Sequence, residues 1–318
     1  MPELVTFGET MLRLSPPRGD RIEIATELDF RAAGAESNVA VAAARLGIDA
    51  CWVSKLPDSP LGRRCLRELG AHGVETEISW SDDGRMGTYY IEQGGSPRGT
   101  SVVYDRSEAA IQTARPEEFP FSDLFTEAEA FYTSGITPAL SDQLADTVSS
   151  LLTRATDSGL TTVLDVNYRS KLWTPSEAAG TLADLLPLVD ICIVAERDAR
   201  MVFDEDGSAE EIAREMYERS DHEVLILTQG SKGVIACDED GIHEQAAYES
   251  ETRDPVGTGD AFVGGFLAWY LEGADTKTAL SAGAATAALK RTLDGDLAIL
   301  TRQEVEQLRD GPDDGINR

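Results

Sequence analysis

Short apolar runs alternate along the chain with stretches whose apolar residues recur every three or four positions. "LVTFGETMLRL" opens with a run that predicts a first strand ending near the turn-forming Gly8, with Glu9 beyond it. An irregular polar stretch follows, "SPPRGDRIEIATELDFRAAG", with two short alternating segments. From Ser37 the pattern changes: Val39, Ala42, Ala43 and Leu46 fall at helical spacing ahead of Gly47 as a stop signal, and "ACWVSKL" then reads as a strand.

Residues 86 to 104 interrupt this β-to-α order. "MGTYYIEQGGSPRGTSVVY" is a pair of alternating aromatic and β-branched runs around Gly94, Gly95, Pro97 and Gly99, the pattern of a hairpin. With the segment around residues 10–33, the hairpin segment at about 86–106 predicts a small β-sheet lid standing off the main body. The alternation then returns. "EAFYTSG", "TTVLDVN", "DICIVA" and "EVLILTQG" are short apolar strands, and "SDQLADTVSSLLTRATDSG" and "AEEIAREMYERS" are amphipathic helices between them. Repeated β-α-β units imply an α/β fold with a mainly parallel central sheet, helices on both faces and ligands at the C-terminal strand ends. Residues 1–318 read as one domain, and the tail "RDGPDDGINR" reads as frayed.

Charge narrows the partners. The chain carries 57 acidic against 28 basic residues, a formal net charge of -29. That surplus repels phosphate backbones and anionic headgroups, so neither nucleic acid nor a membrane surface is expected as a partner. An anionic ligand needs local arginines or backbone N–H groups. Only five residues are lysine, and the acidic side chains are spread throughout, the composition of a haloadapted surface. Cys51, Cys65, Cys192 and Cys237 form no C-x-x-C pair, and His72, His222 and His243 lie far apart, so no zinc spacing is present and reduced, buried thiols are expected. The N-terminus has no secretory pattern and no run approaches 18 apolar residues, which predicts a cytoplasmic protein.

The chemistry concentrates in "RDPVGTGDAF", residues 253 to 262. Gly257 and Gly259 let the backbone approach a ligand closely, and "AFVGGFLAWYL" continues as a helix whose N-terminus directs partial positive charge at the same spot. Such a site suits negative charge that develops during a reaction. Asp260, in the first helical turn, is expected to be ionised near pH 7 and suited to accept a proton from a substrate hydroxyl. A Walker-type loop is absent, and position 262, where a third glycine would complete a dinucleotide fingerprint, is Phe.

"DPVGTGD" resembles the D-T-x-G-A-G-D signature of the PfkB, or ribokinase-like, carbohydrate kinases, with Pro255 and Thr258 as departures. "AAGAESNVAVAAARLG" is similar to the same family's N-terminal G-G-x-x-x-N-x-A pattern, with Gly34, Asn38, Ala40 and Gly47 in register. The two motifs stand in the right order, and the resemblance extends over nearly the whole chain. It implies a ribokinase-like three-layer αβα fold and transfer of the γ-phosphoryl of ATP to a sugar hydroxyl. Asp260 then matches the base, and the amides from Gly257 through Thr258 and Gly259 to Asp260 match the anion hole.

The same resemblance assigns further positions. "LTQGSKG" looks like the family's turn over ATP, making Thr228, Gly230, Ser231, Lys232 and Gly233 nucleotide candidates along with Asn167. The family's N-x-x-E motif, which helps hold Mg²⁺ through water, falls on "AERD": Ala195 replaces Asn and Asp198 replaces Glu. "YDR" (Tyr104, Asp105, Arg106) and "DVNYR" (Asp165, Asn167, Arg169) end segments on the ligand side, and two arginines suit a substrate carboxylate. With "GTYYIE" (Tyr89, Tyr90), they resemble the 2-keto-3-deoxygluconate kinase branch. "TLDGDL" resembles its G-D element and places Asp296 near a substrate hydroxyl, with Asp294 competing. The expected substrate is therefore 2-keto-3-deoxygluconate, or also its galactonate epimer. A neutral-sugar kinase of fructokinase or ribokinase type and a non-catalytic sugar or nucleotide sensor are the alternatives. The resemblance also implies a homo-oligomer formed through the lid sheet, whose edges need covering by ligand or a second subunit.

Overall fold

The computed structural model describes residues 2–95 and 97–311. In chain order β1 (Leu4–Phe7), β2 (Met11–Ser15) and β3 (Asp29–Ala33) lead into α1 (Ala35–Arg45), followed by β4 (Ala50–Pro57), α2 (Pro60–Gly70) and β5 (Glu75–Ser81). After β6 (Thr88–Glu92), β7 (Ser101–Asp105) and α3 (Phe121–Glu127) come β8 (Ala130–Ser134), α4 (Asp142–Asp157), β9 (Thr161–Asp165) and α5 (Pro175–Leu185). Next are β10 (Ile191–Ala195), α6 (Glu196–Val202), α7 (Ala209–Glu218), β11 (Val224–Thr228), β12 (Val234–Asp238) and β13 (Gly241–Gln245). The last helices are α8 (Thr258–Tyr270), α9 (Thr276–Lys290) and α10 (Arg302–Asp310). Of the tail expected to fray, Arg309 and Asp310 close α10, and residues 312–318 lie outside the described residues.

Nine strands form the large sheet in the order β13-β12-β11-β10-β9-β8-β1-β4-β5, parallel from β11 through β5, with β12 and β13 added antiparallel. The continuous apolar runs are explained by burial on both faces. Along β10, Ile191 and Ile193 feed one core while Cys192 and Val194 feed the other, because successive side chains leave a strand on opposite sides. The first core is closed by α1, α2, α8 and α9, the second by α3 to α7. All four cysteines are free and buried. Among the described residues, no helix is long and apolar enough to cross a membrane.

Strand order reverses between β1 and β8, the point at which an open parallel sheet leaves a crevice at its C-terminal edge. Over that edge stands the second sheet, ordered β3-β2-β6-β7, built from the segments expected to form the lid. α1 starts at Ala35, two residues earlier than the apolar spacing indicates, with Gly34 as its N-cap. Apolar on every side, α8 is buried from Ala261 to Trp269, between α1 and α9. Gly264 makes that fit possible, since a side chain there would meet Ala42 and the Val39 carbonyl.

Among the described residues the buried carboxylates are Glu9, Glu36, Asp165, Asp198, Glu205, Asp254 and Asp296, so nearly all of the acidic surplus lies towards solvent. At molar salt the screening length is roughly 3 Å, which suppresses the self-repulsion of such a surface. Transfer from about 2 M to about 0.05 M KCl is expected to abolish the far-UV circular dichroism of the folded state. An unchanged spectrum would show that the fold does not depend on screening.

Candidate active site

The loop before α8 is shaped by one backbone requirement. Gly257 adopts φ 77°, and a Cβ there would collide with the carbonyl of Asp296. From this turn α8 begins, and the N–H groups of Gly257, Gly259 and Asp260 find no acceptor among the described residues. All three residues line a cavity of about 790 Å³, together with Thr258. Unpaired amides at the start of a thirteen-residue helix are suited to hold an anionic group.

Asp260 opens onto the same cavity, and Asn38 of α1 donates from Nδ2 to its Oδ2 at 2.6 Å. Burial raises the Asp260 pKa to about 6, opposed by the Asn38 hydrogen bond and by Arg169, while Asp296 adds to the rise. The helix terminus thus does not hold the group in the ordinary carboxylate range. It is still mostly ionised at pH 7, and a base with a pKa near the working pH is well matched to proton transfer. Asn38, expected among substrate contacts, is instead hydrogen-bonded to this carboxylate.

Gly34, Tyr89, Tyr104, Arg106, Asn167, Arg169, Asp198, Thr228 and Asp296 line this cavity too, so the structure gathers most of the expected site from seven separate segments. The exception is the turn after β11. Gly230, Ser231, Lys232 and Gly233 stand apart from the main cavity, Ser231 lining a second one of about 570 Å³ with Tyr248 and Arg291, and Lys232 being exposed and lining neither. Asn167 takes a left-handed φ of 41°, held by hydrogen bonds of its backbone and side-chain nitrogens to Asp165 at 3.1 and 3.2 Å. Asp165, quoted in its motif but not counted as a site residue, lines the cavity as well. Burial lifts its pKa to about 7, Asp260 reinforcing the rise and Arg169 opposing it.

The two arginines differ. Arg106 is buried and its guanidinium donates to Glu9, also buried, so it is not the free clamp expected from the sequence. Its Nε has no partner among the described residues, and its ring neighbour is Tyr104, 5.7 Å away. Arg169 makes no ion pair or side-chain hydrogen bond to the described residues and faces the cavity with its charge uncommitted.

Arg13 was not anticipated. Opposite Tyr89 across β2 and β6, with Tyr104 next in the row on β7, it presents to the same face of the small sheet. Tyr90, one position on, belongs to the other face. Arg13 donates to Asp296 and, at 2.6 Å, to Asp254 Oδ2, and Tyr89 Oη donates to Asp296 Oδ2 at 2.8 Å. Asp296 is therefore the buried member of the pair considered, while Asp294 is exposed and bound to Arg18 at 2.8 Å. These contacts tie the small sheet to the start of the glycine loop and to the Asp296 turn packed against Gly257. No signal in "MLRL" points to them, because its partners lie 241 and 283 residues away.

A family model described as pfkB family carbohydrate kinase matches residues 1–301. The chain belongs to the pfkB family. It is 56% identical over 316 residues to a 2-dehydro-3-deoxygalactonokinase of Haloferax volcanii, covering 99% of both chains. With a 2-dehydro-3-deoxygluconokinase of Thermoproteus tenax it shares 28% identity over 313 residues, 97% of this chain and 94% of the relative. The crystal structure of 2-dehydro-3-deoxygluconokinase from Thermotoga maritima matches with a TM-score of 0.92 at 34% identity, covering 98% of this chain and all of that one.

As a pfkB kinase the protein departs from the resembled metal motif at Ala195, which lines the cavity without an amide to offer. Asp198 is buried at the cavity wall, its Oδ1 accepting from Arg197 Nε at 3.1 Å, and burial raises its pKa. No group of three His, Cys, Asp or Glu side chains among the described residues is arranged to hold a metal. This donor set fits Mg²⁺ brought in on a nucleotide and largely water-coordinated, the ordinary habit of that ion, and not a resident metal cage.

Proposed function

We propose that the protein transfers the γ-phosphoryl group of ATP to the 6-hydroxyl of a 2-keto-3-deoxy sugar acid, with Asp260 as general base. The carrying observation is that Asp260, oriented by Asn38, faces one cavity with the free amides of Gly257, Gly259 and Asp260 and with the uncommitted Arg169. In this reading Arg169 pairs with the substrate carboxylate, and the small sheet with Tyr89 and Tyr104 acts as a lid that excludes water. Asp260 takes the hydroxyl proton as the substrate oxygen attacks the γ-phosphorus, the bond from that phosphorus to the bridging oxygen breaks so that ADP leaves, and the loop amides stabilise the charge spread over the migrating group's oxygens. Mg²⁺ held near Asp198 through water would screen the charge of the nucleotide phosphates.

The family resemblance implied the gluconate form, with the galactonate epimer as a second substrate. The 56% identical relative named for the galactonate compound favours that epimer as the better substrate. Measuring ADP release in high KCl with Mg²⁺ checks the order: kcat/KM should rank the galactonate acid first, the gluconate acid second and fructose far behind. Arg169→Ala should lower kcat/KM for the acids by about 2 to 4 kcal/mol and leave the poor rate with fructose nearly unchanged. Fructose outperforming both acids with the unaltered protein removes the sugar-acid assignment.

A further inference from the structure

Lys290, the last residue of α9, is fully buried in a chain that has only five lysines. Its Nζ donates to the carbonyl oxygens of Asp254, at 3.0 Å, and of Val256. Both carbonyls belong to the loop that carries the free amides. Within a trans peptide the C=O and the following N–H point in opposite directions. Drawing the Val256 oxygen down to Lys290 therefore turns the Gly257 N–H away from it. The other pinned peptide, Asp254–Pro255, has no N–H to present.

The other side of the loop is fastened independently. Asp254 accepts from Arg13, from Val256 N at 3.1 Å and from Gly295 N at 3.1 Å, so its side chain and its carbonyl are both engaged. Arg13 and Lys290 stand against Asp254 and Asp296 as two buried cations and two buried anions, a balanced set next to Asp260. Burial works against the Lys290 charge, and Asp254 and Asp296 favour it.

We propose that Lys290 is a positioning residue for phosphoryl transfer: it pins the Asp254 and Val256 carbonyls so that the Gly257 amide faces the migrating group. Its positive charge nearby also favours the ionised form of Asp260. This rests on the reading of Asp260 and its loop given above. Lys290→Met replaces the ammonium by a neutral chain of similar length. Its kcat should fall about 100-fold, the scale for losing one preorganised donor, with KM for ATP and for the sugar acid within about threefold. The groups that face Asp260, namely Asn38, Arg169, Asp165, Tyr132 and Asp296, are unchanged in this variant, so the acid limb of its kcat/KM profile should move to higher pH.

A second variant, Lys290→Ala, should regain activity on addition of propylammonium chloride, while Lys290→Met, whose side chain fills the space, should not. A folded Lys290→Met enzyme with unaltered kcat overturns the proposal. So does a fall in kcat with the acid limb unmoved, or loss of folding in both variants, since each describes a lysine that only supports the structure. Asp260→Asn assayed alongside separates the two levels: full activity there would undo the reading of the base, whatever Lys290 does.

Discussion

Asp260→Asn is expected to lower kcat by about 10³-fold, within the range for removal of a positioned general base, while KM for both substrates changes little. Asn keeps an acceptor for Asn38 Nδ2, so the change is confined to the basicity of one oxygen. Because burial raises the Asp260 pKa to about 6, the unaltered enzyme should show an acid limb near that pH in kcat/KM, and the variant's residual rate should lack it.

Stability should move the opposite way. A carboxyl whose folded-state pKa lies above its ordinary value of 3.8 binds more protons folded than unfolded between about pH 4 and pH 6. Its contribution to stability is therefore greatest below that window and is lost as pH rises through 6. At pH 8 the ionised, partly desolvated carboxylate costs stability, and the neutral amide removes the cost. Thermal melts at pH 8 should give Asp260→Asn a Tm at least equal to that of the unaltered protein. An active variant, or one with a depressed Tm, contradicts this account of the residue.

Arg106→Ala is expected to be the most damaging single change to the fold among the site residues, at about 3 to 5 kcal/mol. Glu9 is buried, its carboxyl already pushed upward by burial and held back chiefly by Arg106, which bonds Oε2 while Oε1 has no partner among the described residues. Removing the guanidinium strands that charge. The double variant Glu9→Gln with Arg106→Ala should recover most of the stability in denaturant melts and little of the activity, because the guanidinium also lines the cavity. Equal stability of the single variant and the unaltered protein would mean that the Glu9 pair contributes nothing.

Several elements were legible because their causes are local. A short run of apolar and β-branched residues between turn formers becomes a strand wherever it is buried, so β8 through β11 follow from "AFYTS", "TTVLD", "ICIVA" and "VLILT". The site loop was legible for the same reason: glycine at 257 is demanded by its own left-handed φ. The hairpin of β6 and β7 and its Tyr89 could be read from alternation and turn residues alone.

What joined these pieces was not local. Whether Arg106 is free for a substrate depends on Glu9, 97 positions earlier, and nothing near either residue announces the pair. Asn38 meets Asp260 across 222 residues, and Arg13 meets Asp254 and Asp296 across longer spans, through contacts that exist only after α1 and the small sheet come to lie against the same strand ends as α8. The amino-acid order by itself determined the strands, helices and glycine turn, since backbone sterics and apolar periodicity act over a few residues. Only the tertiary structure decided which charges are paired, which stay open and how far each carboxyl is shifted, because the energy of a charge is set by its burial and by neighbours brought from distant parts of the chain.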